Sequence, residues 1–178
     1  MRAPVDAERL RRFLHAAGQV AAPGTRLYLT GGASAVLVGW RASTIDIDLK
    51  AVPEDDTLLR QIPRLKDELG INVELASPSD FIPELPGWES RCASVGRDGN
   101  VAVFHYDFYA QALSKLERGH AKDVSDVEEM ARRGLIDGPR LLELYGQIEP
   151  VLYRYPALDA RSFRKAVEDF VGRTSRER

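Results

Sequence analysis

The chain has 178 residues, 44% of them apolar and 29% charged, with a formal net charge of −2. This is the balance of an ordinary globular protein with room for one real core, and nothing in it marks a globally basic nucleic-acid binder. A single cysteine, Cys92, leaves no intramolecular disulfide to form, and there is neither a membrane-length apolar run nor a charged-then-apolar leader pattern, so a reducing cytoplasm with no membrane partner is the expected setting.

Asp6 to Ala17 reads as an amphipathic helix with Leu10, Phe13, Leu14 and Ala17 on one stripe, broken by Ala21-Ala22-Pro23-Gly24. Leu27 to Thr30 is a short buried strand, and Ala33 to Trp40 a helix with no polar face, which predicts deep burial. Thr44 to Leu49 is the second strand, with Ile45, Ile47 and Leu49 expected in the core. A helix starting at Pro53-Glu54-Asp55-Asp56 runs towards Gly70, with a kink or break expected at Pro63. Ile71 to Leu75 is a third strand. After a loop carrying Pro78, Pro83 and Pro86, Ser90 to Val95 and Val101 to His105 form a hairpin around Arg97-Asp98-Gly99-Asn100.

From Asp107 onward the pattern is helical: Phe108 to Glu117 capped by Gly119, Val124 to Arg133 before Gly134, Pro139 to Tyr145, and Ala160 to Val171. The fold class is therefore α/β (α+β), a mixed sheet flanked by helices and followed by a helical C-terminal part. With no linker between them, residues 1–172 read as one domain, its core at about 1–106 and its helical part at about 107–172. The polar stretch 173–178 is expected to be a disordered tail.

The chemistry concentrates early. Asp46 and Asp48 are one residue apart in a strand, so both project from one face. Two such carboxylates repel unless a cation sits between them, and a hard ion such as Mg²⁺ suits an oxygen site that keeps positions open for phosphates. Glu74, a lone acid in an apolar strand, completes a three-carboxylate set if its strand pairs beside them. Gly31-Gly32 close a strand and open a helix, a junction where backbone N–H groups can approach a phosphate. Thr30 and Ser34 could add hydroxyl contacts there. Arg41 and Thr44 lie between that helix and the acidic strand; Arg41 could meet a phosphate, brace the aspartates or cap the helix.

Further on, Lys115 lies beside the apolar face made by Ala112, Leu113 and Leu116, with Lys122 and Asp123 at the next helix start and Asp126 one turn in. Asp123 is a sensible N-cap. Alone, this reads as a salt-bridged helical hairpin; together with the upstream motif, Lys115 and Lys122 become candidates for triphosphate contacts. His15, His105 and His120 show no metal-ligand spacing, and His105 is expected to be a packed histidine.

Gly31-Gly32, Asp46/Asp48 and Glu74 in this order resemble the nucleotidyltransferase superfamily that includes DNA polymerase beta. The stretch Ala112-Leu113-Ser114-Lys115-Leu116-Glu117-Arg118 with Lys122-Asp123 and Asp126 is similar to a bacterial subgroup of AbiEii/MenT-like toxin nucleotidyltransferases and related uncharacterised proteins. The resemblance implies Mg²⁺ on Asp46, Asp48 and Glu74, a triphosphate on Gly31 and Gly32 helped by Lys115, and an assisting Asp126. It implies transfer of a nucleotide from a nucleoside triphosphate to an acceptor hydroxyl on a tRNA, a protein or a small molecule, with a cognate antitoxin or toxin as a partner. Gly32 stands where many members of the superfamily have serine, which moves one phosphate contact to Ser34 or removes it. Glu74 replaces the commoner aspartate. The alternative is a catalytically degenerate module of the same fold that binds a nucleotide or a partner protein.

Overall fold

A computed structural model describes residues 2–176. Its contacts separate the chain into two compact units: residues up to Ser77 with Cys92–Tyr106, and Pro78–Arg91 with Asp107 onward.

The first unit holds helices α1 (Ala7–Val20), α2 (Gly31–Val38) and α3 (Asp56–Leu69), and strands β1 (Thr25–Thr30), β2 (Asp46–Val52), β3 (Asn72–Glu74), β4 (Ala93–Asp98) and β5 (Val101–His105). The strands form one mixed sheet in the order β3-β2-β1-β5-β4. β1 is antiparallel to β2 and parallel to β5, β3 is parallel to β2, and β4 closes the hairpin with β5. One face is apolar because inward positions alternate along each strand: Leu27 and Leu29, Ile47 and Leu49, Val73, Val101 and Val103 are buried with the apolar stripes of α1 and α3 and with α2, which has no polar face. The opposite face is left to the residues between them.

Side-chain caps set two of these helices. Asp6 accepts from the Arg9 N–H to start α1, and Asp55 accepts from Thr57 and Leu58 to start α3. Gly70 ends α3 in a left-handed conformation. The break that Pro63 allows does not occur, since α3 runs as one helix across it: Leu58, Ile62 and Leu65 anchor it in the core on both sides while the proline ring stays exposed. Ile45 lies outside the core, against expectation. It is 64% exposed, because β2 starts only at Asp46 and the preceding residue escapes the strand's alternation. Beside β2, the edge strand β3 is three residues long and ends before Leu75, which is exposed.

The second unit contains α4 (Phe108–Arg118), α5 (Ala121–Arg132), α6 (Gly138–Ile148) and α7 (Ala160–Arg176), with short 3-10 turns at Pro78–Asp80, Trp88–Arg91 and Glu149–Arg154. Leu113, Leu116, Val127, Met130, Leu141, Leu144, Phe163, Val167 and Phe170 are buried, and Tyr145 packs edge-on against Phe163 at 4.9 Å between ring centroids. The proline-rich loop belongs to this unit: the Arg91 guanidinium pairs at 2.7 Å with the fully buried Asp107, whose carboxylate also caps α4. Burial raises the Asp107 carboxyl above its ordinary value despite that partner. The expected tail is partly helix, since α7 continues through Arg173 to Arg176; Glu177 and Arg178 lie outside the described residues.

Candidate functional site

The first part of the site is the β1–α2 turn. Thr30 leaves β1 extended and gives α2 no side-chain cap, so the first-turn N–H groups of α2 are left to other acceptors. Gly31 has φ +59°, the left-handed region, and a Cβ there would lie 3.0 Å from Asp48 Oδ2. The Asp48 carboxylate therefore sits directly against the turn. At Gly32 a Cβ would fall 2.0 Å from Thr44 Oγ1 and 2.6 Å from Thr44 Cβ, with Arg41 Nη1 at 3.5 Å. Both glycines are required by close neighbours that come from the approach to β2 or from β2 itself.

The acidic row follows from strand alternation. Asp46 and Asp48 are half-buried on the face opposite Ile47 and Leu49. Parallel pairing sets Asp46 beside Asn72, Ile47 beside Val73 and Asp48 beside Glu74, while antiparallel pairing sets Thr30 beside Asp48. Glu74 thus occupies the same sheet face as the two aspartates, in direct register with one of them. Asn72 is the residue the motif reading passed over. Its amide donates to Asp46 Oδ1 at 2.5 Å and more weakly to Glu74 Oε1 at 3.4 Å. Its signal was available: it lies two residues before Glu74, at the same phase of the strand.

Behind the turn lies a buried polar chain. Ser34 is fully buried, and its hydroxyl donates to the Leu29 carbonyl at 3.0 Å while lying 3.0 Å from His105 Nδ1. It supports the end of β1 from the core side rather than extending to the open side of the turn. Tyr106 N–H donates to the same Leu29 carbonyl at 2.8 Å. His105 is the packed histidine expected, and burial pulls its imidazole down to about 4, so it is neutral at physiological pH.

In the helical unit, Lys115 is buried and its ammonium donates to Asp126 at 2.7 Å and to Asp123 at 3.4 Å. Arg118 joins Asp123 at 2.7 Å. Lys115 and Asp126 are therefore brought together, with Asp123 and Arg118 added to the cluster. Asp123 is not the N-cap of α5: that place is His120, and α5 begins at Ala121. Placed in the first turn, Asp123 turns its carboxylate to the two cations instead. Lys122 is exposed and makes no ion pair among the described residues.

The oxygen donors of Asp46 and Asp48, adjacent to a backbone turn able to hold phosphate, match the preference of Mg²⁺ for one or two carboxylates with phosphate and water completing its shell. A larger cage is not assembled: among the described residues no three His, Cys, Asp or Glu side chains are grouped to hold a metal. Glu74 is exposed and reaches only towards Asn72 in that row. Among the described residues, no helix is long and apolar enough to cross a membrane.

No curated protein and no solved structure matches the chain. One family model does, over residues 8–174, and it takes in the glycine turn, the acidic strand and the Lys115 cluster together. The chain belongs to that family, the nucleotidyltransferases of unknown function designated DUF6036.

Proposed function

We propose that this nucleotidyltransferase moves a nucleoside monophosphate from a nucleoside triphosphate to an acceptor hydroxyl, with Asp46 and Asp48 holding Mg²⁺. The observation that carries the reading is the contact between the glycine turn and the acidic strand: the position of a Gly31 Cβ is 3.0 Å from Asp48 Oδ2. Phosphate-binding backbone and metal-binding oxygen are thereby adjacent on one scaffold.

In the reaction, the acceptor oxygen bonds to the α-phosphorus, the bond to the bridging oxygen of the β-phosphate breaks, and pyrophosphate leaves with its electron pair. Bound at the carboxylates, Mg²⁺ supplies neutralisation of phosphate charge. The Gly31-Gly32 backbone donates to the triphosphate, and Arg41, beside that turn, adds positive charge. The resemblance assigns Lys115 to the leaving-group charge, with Asp126 holding its ammonium. Lys122 is an exposed second cation for the same purpose. Glu74, in register with Asp48, is the acid available to accept the proton of the acceptor hydroxyl. A tRNA end, a protein hydroxyl and a small molecule are the acceptor classes. The likeness of the Lys115 segment to toxin nucleotidyltransferases supports a toxin–antitoxin setting.

One observation favours a second reading, a nucleotide-binding module without turnover: the third acid, Glu74, is not gathered with the aspartates. Thermal melting with Mg²⁺ and each nucleoside triphosphate separates the outcomes. At a ligand concentration of 100 Kd, binding adds about 2.7 kcal/mol, a rise of roughly 5 to 10 °C for a chain of this size. That rise is expected with Mg²⁺ present and is expected to vanish in Asp46→Ala/Asp48→Ala. Release of pyrophosphate then marks a transferase. Binding without release of pyrophosphate for any acceptor class supports the module, and no shift with any nucleotide sinks both.

A further inference from the structure

We infer that Thr44 is a positioning residue that locks the Gly31-Gly32 turn to the Asp46/Asp48 strand, so that phosphate-binding backbone and carboxylates act as one body. This deepens the reading above and rests on it. Thr44 is buried, and its side chain fills the space a side chain on Gly32 would need, with Oγ1 only 2.0 Å from that Cβ position. The same hydroxyl donates to the Asp46 carbonyl at 3.1 Å. One side chain therefore touches the turn with its surface and the acidic strand with its proton.

The residue is itself held from behind. Val5, fully buried, accepts from Thr44 N–H at 2.9 Å and donates to the Thr44 carbonyl at 2.7 Å. Both bonds fix the Thr44 backbone, leaving its side chain little freedom to withdraw from Gly32. On the other flank Asp48 Oδ2 abuts Gly31. The turn is thus clasped at two consecutive glycines by two residues that bracket Asp46. Displacing the turn on binding a triphosphate must displace the carboxylates, and holding the carboxylates with a cation must hold the turn. Such shared restraint gives reciprocal coupling between anion and metal.

The test measures the affinity of inorganic triphosphate with and without Mg²⁺ by calorimetry, a readout that needs neither turnover nor the correct base. In the unaltered protein Mg²⁺ is expected to tighten triphosphate binding. Thr44→Ala removes the hydroxyl and the wedge, and is expected to reduce that tightening at least tenfold; Thr44→Ser keeps Oγ1 and is expected to restore it. If Thr44→Ala lowers the melting temperature but leaves the Mg²⁺-dependent ratio unchanged, Thr44 is merely structural and the inference is overturned. Loss of the ratio in Thr44→Ser as well would also overturn it, since the hydroxyl would then not be the locking group. If the unaltered protein binds no triphosphate with Mg²⁺, the functional reading fails first and the lock falls with it.

Discussion

Asp55 shows how much one side chain can hold. Its carboxylate accepts from Ala22 N–H at 2.6 Å, Thr25 Oγ1 at 2.9 Å, Thr57 N–H at 3.0 Å and Leu58 N–H at 3.1 Å. It caps α3 and at the same time ties that helix to the start of β1. Burial raises its carboxyl, but the four donors outweigh burial and leave it below its ordinary value. Asp55→Ala is expected to cost about 2 to 3 kcal/mol, or roughly 4 to 12 °C in melting temperature. Asp55→Asn, which retains an acceptor oxygen, should cost about half as much. A fall below about 1 °C for the alanine variant would mean the four donors find other partners. At this scale the motifs were readable: Asp46, Asp48, Gly31 and Gly32 stand out by type and spacing. Thr44 is legible only as a nucleotide-binding candidate between helix and acidic strand; its contact with Gly32 is a matter of packing that residue type cannot announce.

Between elements, the α4–α5 hairpin gathers three buried charges, Lys115, Asp123 and Asp126. Lys115 and Asp126 are buried, and Asp123 is shared between Lys115 and the half-exposed Arg118. Removing one partner strands the other in a poorly solvating site. Lys115→Met is expected to destabilise by about 3 to 5 kcal/mol in urea denaturation, whereas Lys115→Met/Asp126→Leu should recover most of that loss. If the pair also serves the reaction as proposed, activity is expected to stay lost in the double variant although its stability returns. Equal stability losses in the single and double variants would refute a buried ion pair as the cause. Helical spacing and the lysine–aspartate pattern located this hairpin in advance. They misplaced the start of α5, because Asp123 is drawn to two cations that lie in the preceding helix.

For the molecule as a whole, acid should act in two stages. His105 titrates near 4 when folded and near its ordinary 6.5 when unfolded. Between those values the unfolded chain binds the extra proton, so stability is full above 6.5 and falls by up to about 3 kcal/mol towards pH 4. Asp55 acts next: with its folded pKa lowered, its contribution is present above 3.8 and drains away below that. Urea titrations between pH 7.5 and 4 should show the first slope, and His105→Gln should flatten it. An unchanged slope in that variant would place the sensitive group elsewhere.

The class of fold, the order of nearly all the elements and the two acidic positions are legible in the chain alone, because alternation, helical periodicity and capping are local consequences of backbone geometry. The register that puts Glu74 beside Asp48 and Asn72 beside Asp46 comes from the folded sheet, since one residue of slip would have sent both to the opposite face. Folding likewise turns Ser34 to the core and sets Thr44 in the space above Gly32. These are distances between segments far apart in the chain, and they are set by which surfaces close on one another when the core is buried.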